Sequence, residues 1–147
     1  MIEIENVSKR FLLKKALKNC SLTLNHGKII GIIGENGSGK TTLLKLLSGV
    51  LKPSSGRVLI ERDIVTRAIS RKVAYLFDID NFFTYFTVHE LIQFYASQFN
   101  DFDRAAALKI ARFMNLPLDV KIKQLSKGNR GRVKITVTFA RRAHMLF

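Results

Sequence analysis

The sequence predicts an α/β fold, and three observations carry that prediction. The first residues alternate between apolar and polar side chains, which is typical of a strand. A glycine-rich loop follows a short apolar run near residue 30 and opens a helical pattern. Helix signals then dominate after residue 81. We therefore expect a sheet around a phosphate-binding loop, followed in the chain by a group of helices.

Strand patterns account for most of the first 77 residues. Ile2, Ile4 and Val7 alternate with acidic residues and predict a strand at the start of the chain. The stretch CSLTLNHGKIIGIIG (20–34) suggests two strands joined at Asn25-His26-Gly27, and its apolar run 29–33 predicts a buried strand. Residues 57–65 predict another strand, and residues 72–77 form a further apolar run.

The stretch GENGSGKT has the form G-x-x-x-x-G-K-[ST], which is typical of a phosphate-binding loop between a strand and a helix. Its glycines let the backbone wrap closely, and its amides point inward as an anion-binding nest. The following helix adds its positive N-terminal end. We expect Lys40 to reach the β- and γ-phosphates and Thr41 to bind Mg²⁺. The predicted nucleotide-binding residues of the loop are Gly34, Glu35, Asn36, Gly37, Ser38, Gly39, Lys40, Thr41 and Thr42.

Helix signals follow residue 81. Residues 87–90 form a capping box at the start of one helix. Asp101 or Asp103 is expected to cap a second helix, which ends before Pro117.

The last segment carries conflicting local signals. Alternation of Val133, Ile135, Val137 and Phe139 favours a strand. The spacing of Val133, Thr136, Val137 and Ala140 fits a helix equally well.

The charge of the chain is +14, and it is uneven. Residues 104–147 contain 11 basic residues and a single acid, Asp119. Such a run is compatible with nucleic acid or an anionic membrane as partner, with a solvated face beside a nucleotide site, or with an acidic part of the domain lying elsewhere.

The single cysteine, Cys20, allows no internal disulfide and fits a reducing compartment. No membrane-spanning helix or signal peptide is expected.

With GENGSGKTT and LSKGN both present, the chain resembles the nucleotide-binding subunit of ATP-binding cassette (ABC) transporters over its whole length. Family members usually read L-S-G-G-Q where this chain has LSKGN (125–129). With lysine at the third position, this signature resembles that of small bacterial exporters. The resemblance implies a helix for the ambiguous last segment. It also implies that the signature residues Ser126, Lys127, Gly128 and Asn129 face ATP bound by a second subunit across a dimer.

The resemblance implies further positions. Phe11 lies where the family has an aromatic residue that stacks on adenine, although a core phenylalanine is the alternative. Asp78 stands where the family usually has a glutamine, and it is expected to reach Mg²⁺ or its water. Phe82, Phe83 and Phe86 either dock on the transmembrane partner or pack locally.

The implied fold is a P-loop NTPase core sheet with an N-terminal antiparallel β piece and a helical insertion. In this arrangement, residues 1–82 and about 131–147 belong to the core. Residues from about 83 to 130 form the helical subdomain, which ends in the signature.

The implied function is that of an ABC-type ATPase, the ATP-binding subunit of a transporter. It would work with ATP, Mg²⁺, a transmembrane permease subunit and a second nucleotide-binding subunit, at the cytoplasmic face of the cell membrane. No specific nucleic acid is expected as partner, and a soluble ABC-type ATPase acting on nucleic acid or ribosomes is the alternative. The family's catalytic carboxylates follow in a later strand, and no Asp or Glu follows Asp119 here. These 147 residues are therefore expected to bind nucleotide but to hydrolyse it poorly or not at all.

Overall fold

The computed structural model describes residues 1–77 and 83–147. Asp78 and Phe82, two residues singled out from the sequence, lie outside the described residues. The chain forms two compact units, Met1–Ser70 and Arg71–Phe147. The assignment of residues 131–147 to a core shared with residues 1–82 stays a prediction. Strands and helices are mixed along the chain, so the predicted α/β class is confirmed.

The first unit is built on an antiparallel sheet in the order β2-β1-β3-β4. Its strands are β1 (Ile2–Phe11), β2 (Lys14–Leu24), β3 (Ser55–Ile60) and β4 (Asp63–Ile64), and its helix is α1 (Lys40–Leu47). In the register of the sheet, Ile2 pairs with Leu24 on one side and with Ile60 on the other. The N-terminal strand predicted from alternation is therefore one of the two inner strands of this sheet, and β2 confirms the first of the two strands predicted in 20–34.

The apolar alternation of β1 is interrupted because the strand contains a bulge. Ile2, Ile4 and Val7 are all buried, although Val7 stands three residues after Ile4. Asn6 adopts a left-handed backbone with φ 47°, and the register shifts between Ile4 and Val7. Its amide donates to the hydroxyl of Ser21 on the neighbouring strand at 2.9 Å. The extra residue returns Val7 to the buried face.

The prediction of a buried strand over residues 29–33 is wrong. No strand forms there, and Ile29 and Ile33 are fully exposed, at 105% and 98%. An apolar run becomes a strand only where neighbouring backbone accepts its hydrogen bonds. In residues 1–77 and 83–147, no strand pairs with this run.

The single strand predicted over residues 57–65 is also wrong, because this stretch is a hairpin. Glu61 and Arg62 both have positive φ, at 53° and 70°, and they join β3 to β4. Two consecutive left-handed residues are the mark of a two-residue hairpin turn. Asn-Gly or Asp-Gly usually signals that turn in a sequence, and Glu-Arg does not.

The second unit contains three helices: α2 (Val88–Gln98), α3 (Arg104–Phe113) and α4 (Lys127–Phe139). The predicted capping box is confirmed, because the Thr87 hydroxyl accepts from the Glu90 amide at 3.1 Å and the Glu90 carboxylate accepts from the Thr87 amide at 2.7 Å. Asp103, rather than Asp101, caps α3 by accepting from the Ala106 amide at 2.9 Å. That hydrogen bond, followed by one from Arg142, holds the pKa of Asp103 below its usual range.

The ambiguous last segment is helical, as the family resemblance implied. Val133, Thr136, Val137 and Ala140 are all buried and lie on one face of α4 or at its end. The buried hydroxyl of Thr136 donates to the carbonyl of Arg132 at 2.9 Å, so the polar group is satisfied within the helix. The apolar core of this unit is formed by residues of α2, α3 and α4 and the loops between them.

The second unit also contains a short pair of parallel strands and a buried ion pair. Strand β5 (Val73–Ala74) pairs in parallel with β6 (Met145–Leu146). Just before β6, the Nε of Arg141 donates to both carboxylate oxygens of Asp101, at 2.8 and 2.9 Å. The guanidinium carbon also lies 4.0 Å from the ring centre of Phe99. The loop between α2 and α3 is thereby joined to the end of α4.

We expect the Asp101–Arg141 pair to contribute strongly to stability. The Arg141 side chain is 6% exposed and that of Asp101 is 25% exposed. Asp101→Asn leaves a buried guanidinium without its carboxylate, and losing one partner of a buried pair costs about 3–5 kcal/mol. Because Asp101 is partly solvated, we expect the free energy of unfolding in urea to fall by roughly 2–4 kcal/mol.

Asp103→Asn provides the matched control. The amide oxygen can still cap α3, and the ion-pair partner, Arg142, is 77% exposed. Its effect should therefore be much smaller. Equal losses for the two variants would contradict the importance of the buried pair.

Candidate functional site

The phosphate-binding loop lies directly against strand β2. Gly39 has φ 98°, which side chains other than glycine rarely adopt. A Cβ atom at Gly39 would lie 2.6 Å from the carbonyl oxygen of Ala16. Glycine is therefore required here both by the backbone conformation and by the close approach of β2.

Among the described residues, no side chain caps the start of α1, which follows the loop directly. Gly39 is the N-cap of this helix and has no side chain to accept from the first-turn amides. The amide of Leu43 bonds to the Gly39 carbonyl at 2.8 Å, so the helix begins directly at the loop. First-turn amides and the positive helix end together favour an anion such as phosphate.

The side chain of Lys40 is held close to the loop by backbone carbonyls of the loop itself. Its ammonium donates to the carbonyls of Gly34 at 2.7 Å and Glu35 at 2.6 Å. These bonds keep the charged group beside the amides, so the loop carries a second positive element in addition to the helix end.

A cleft of about 320 Å³ brings the loop together with Phe11. Phe11 is 44% exposed, so it is not the core phenylalanine considered as the alternative, and the Lys9 ammonium lies 5.1 Å from its ring centre. The cleft is lined by Phe11, Lys14, Ala16, Asn36, Gly37, Gly39, Lys40, Thr41 and Thr42. Six of these residues belong to the predicted loop, whereas Gly34, Glu35 and Ser38 do not line the cleft. The Ser38 amide bonds to the Glu35 carbonyl at 3.2 Å and closes the turn over residues 35–38.

Lys14 is the charged residue of the cleft that sequence reasoning missed. The signal that finds it is the strand register, because Lys14 pairs directly with Phe11 across the β1–β2 hairpin. Residues opposite each other on adjacent strands place their side chains on the same face.

The donor set of the cleft fits a nucleotide with its metal. Thr41 is exposed, and its hydroxyl is an oxygen donor of the kind that Mg²⁺ accepts alongside phosphate oxygens. Within residues 1–77 and 83–147, no group of three or more histidine, cysteine or acidic side chains is arranged to hold a metal on its own. Asp78, the other predicted metal ligand, lies outside the described residues.

The signature segment lies at the start of α4 in the second unit. The Ser126 hydroxyl caps this helix by accepting from the Asn129 amide at 3.2 Å. Ser126, Lys127 and Gly128 are exposed, and Asn129 is half-buried. The predicted signature residues therefore form an accessible helix start that Ser126 caps.

The aromatic segment before α2 packs locally. Phe83 stacks on Phe86 with ring centres 5.0 Å apart, and its edge meets Phe94, also at 5.0 Å. Phe83 remains 54% exposed, and Tyr85 is 73% exposed. Docking of this surface on a transmembrane partner stays a prediction.

Comparison with known proteins identifies the family. The family profile described as ABC transporter matches residues 17–147. The ABC transporter ATP-binding protein YtrB of Bacillus subtilis is 28% identical over 148 residues, covering 99% of this chain and 51% of that protein. The energy-coupling factor transporter ATP-binding protein EcfA of Aster yellows witches'-broom phytoplasma is 31% identical over 150 residues, covering 95% and 55%. The chain thus spans about half the length of the curated relatives it matches.

Solved structures show the same fold. The ATP-binding cassette MJ0796, as a dimer bound to ADP and Pi, matches with a TM-score of 0.86 at 26% identity, covering 99% of this chain and 72% of that one. A nucleotide-free ATP-binding cassette from an ABC transporter matches with a TM-score of 0.76 at 28% identity, covering 99% and 67%. The P-loop NTPase fold that the family resemblance implied is thus confirmed. Profile, relatives and fold agree, and the chain belongs to the ABC transporter ATP-binding family.

Proposed function

We propose that this chain binds ATP as part of the ATP-binding subunit of an ABC transporter, which couples ATP binding and hydrolysis to membrane transport. The observation that carries the proposal is the cleft in which Phe11 lies beside the loop and the start of α1. It offers an aromatic ring for a base, amides and a lysine for phosphates, and a hydroxyl for Mg²⁺. Relatives described as ATP-binding proteins of transporters support it.

Within this proposal, each part of the site has a separate role. Phe11 stacks on adenine, and the loop residues 34–39 cradle the phosphates. Lys40 exchanges its bonds to the Gly34 and Glu35 carbonyls for the β- and γ-phosphates. Thr41 binds Mg²⁺, and Asp78, the other predicted metal ligand, lies outside the described residues.

The proposed partners are a transmembrane permease subunit and a second nucleotide-binding subunit, at the cytoplasmic face of the membrane. The exposed start of α4 supports the second partner, because Ser126 and Gly128 can face a γ-phosphate held by another copy. None of the described helices is both long and apolar enough to cross a bilayer. The soluble ATPase acting on nucleic acid or ribosomes is not favoured, because the relatives are transporter proteins.

We expect Lys40→Ala to abolish most ATP affinity in calorimetric titration with Mg²⁺. The variant removes the ammonium that is already held at the loop. Lys45→Ala, a lysine in the last turn of the same helix, is the matched control and should bind as the wild type does. Equal affinity in wild type and Lys40→Ala would remove the basis of the site assignment.

We expect Phe11→Ala to weaken ATP binding roughly tenfold or more, since stacking of a base on an aromatic ring contributes ~1–3 kcal/mol. The readout is the dissociation constant measured in the same titration. Leu12→Ala is the control for a general change in the hairpin, because Leu12 is 96% exposed and does not line the cleft. An affinity that changes equally in both variants would show that the ring does not stack on the base.

We expect the 147 residues by themselves to release phosphate from ATP at a rate near background. They hold no Asp or Glu after Asp119. Removing one preorganised catalytic group costs ~10²–10⁴ in rate. The measurement compares phosphate release by these residues with release by their Lys40→Ala variant, which serves as the background. Turnover well above that background would place the carboxylates within these 147 residues.

A further inference from the structure

The strand register divides the basic residues of the first hairpin between two faces. Phe11 pairs with Lys14, and Arg10 pairs with Lys15. Successive residues of a strand point to opposite faces, so Lys14, which pairs with Phe11, and Lys15, which pairs with Arg10, point to opposite faces. Both Lys14 and Ala16 line the nucleotide cleft with Phe11, and Lys15 does not. One lysine of the adjacent pair therefore faces the proposed ligand, and the other faces away from it.

Lys14 lies between the proposed base site and the phosphate loop. At one end it is directly opposite Phe11. Two residues further along β2, the carbonyl of Ala16 lies against Gly39, where a Cβ would be 2.6 Å away. Two residues of regular strand span about 6–7 Å, and the register shift beside Ala16 makes the distance here this or shorter. An extended lysine side chain covers a similar length, so its ammonium can reach the space between an adenine on Phe11 and the loop amides.

The ammonium of Lys14 is also available for a ligand. The ion pairs within residues 1–77 and 83–147 use other cations, including Arg57 and Arg141. Lys40, the other lysine of the cleft, is bonded to the carbonyls of Gly34 and Glu35, the first two residues of the loop. The two lysines thus offer separate positive charges to separate parts of a long anion.

We propose that Lys14 binds the phosphate nearest the ribose, the α-phosphate, of a nucleotide in this cleft. The inference rests on the nucleotide site proposed above and adds a second phosphate-binding residue to it. Lys40 serves the outer phosphates, and Lys14 serves the phosphate that ATP, ADP and AMP share. Its contact is a charge-assisted hydrogen bond in a solvent-accessible cleft.

The test compares Lys14→Gln with Lys15→Gln. Both variants remove one positive charge from the same hairpin, and glutamine keeps a polar side chain of similar reach. Affinities for ATP, ADP and AMP are measured by competition with a fluorescent ATP analogue, at two salt concentrations. We expect Lys14→Gln to weaken all three nucleotides by a similar factor, roughly three- to tenfold, and to reduce the salt dependence. Lys15→Gln should match the wild type.

The outcomes separate this inference from the proposed function. Wild-type binding that is lost in Lys40→Ala but unchanged in Lys14→Gln overturns the role of Lys14 alone. If Lys14→Gln weakens the binding of ATP alone, Lys14 lies at the terminal phosphate and the proposed α-phosphate contact is overturned. An equal loss of affinity in Lys15→Gln overturns it as well. If the wild type does not bind the ATP analogue at all, the proposed site and this inference fall together. Thermal unfolding of each variant confirms that the hairpin is intact.

Discussion

The close contact between Gly39 and the carbonyl of Ala16 connects the parts of the nucleotide cleft. On one side of this contact is the phosphate loop with Lys40, and on the other is the strand that carries Lys14 and pairs with Phe11. A larger residue at position 39 would have to displace backbone rather than a flexible side chain. The spacing between the aromatic ring and the loop amides therefore depends on the absence of a single side chain.

Local chemistry made part of this structure predictable. The capping box at Thr87 and Glu90, the cap at Asp103 and the helix that starts at Lys40 all depend on residues close in sequence, and each forms as its pattern indicates. The strand over 29–33 and the Glu61–Arg62 turn were predicted wrongly, because the first depends on pairing with distant backbone and the second lacks the usual turn residues. Lys14 escaped prediction for the same reason, since only the pairing register shows which face it shares with Phe11.

The charge imbalance looks different once contacts are known. Residues 104–147 carry 11 basic residues and one acid. Two of those cations, Arg141 and Arg142, form ion pairs with Asp101 and Asp103, which lie just before this stretch. The count along the sequence separated partners that the fold brings together. Part of the apparent excess is therefore internal ion pairing and needs no external anion.

The exposed run 29–33 has a consequence for how the chain behaves in solution. Its four isoleucines and one glycine carry no charge, and Lys28 and Glu35 are the nearest ionic residues in the sequence. β-Branched segments with open backbone groups and no charge are those that recruit matching strands from other chains. The monomeric fraction is therefore expected to fall as protein concentration rises. A charged residue in place of Gly31, where a Cβ meets open space, should reduce this association with little change to the fold.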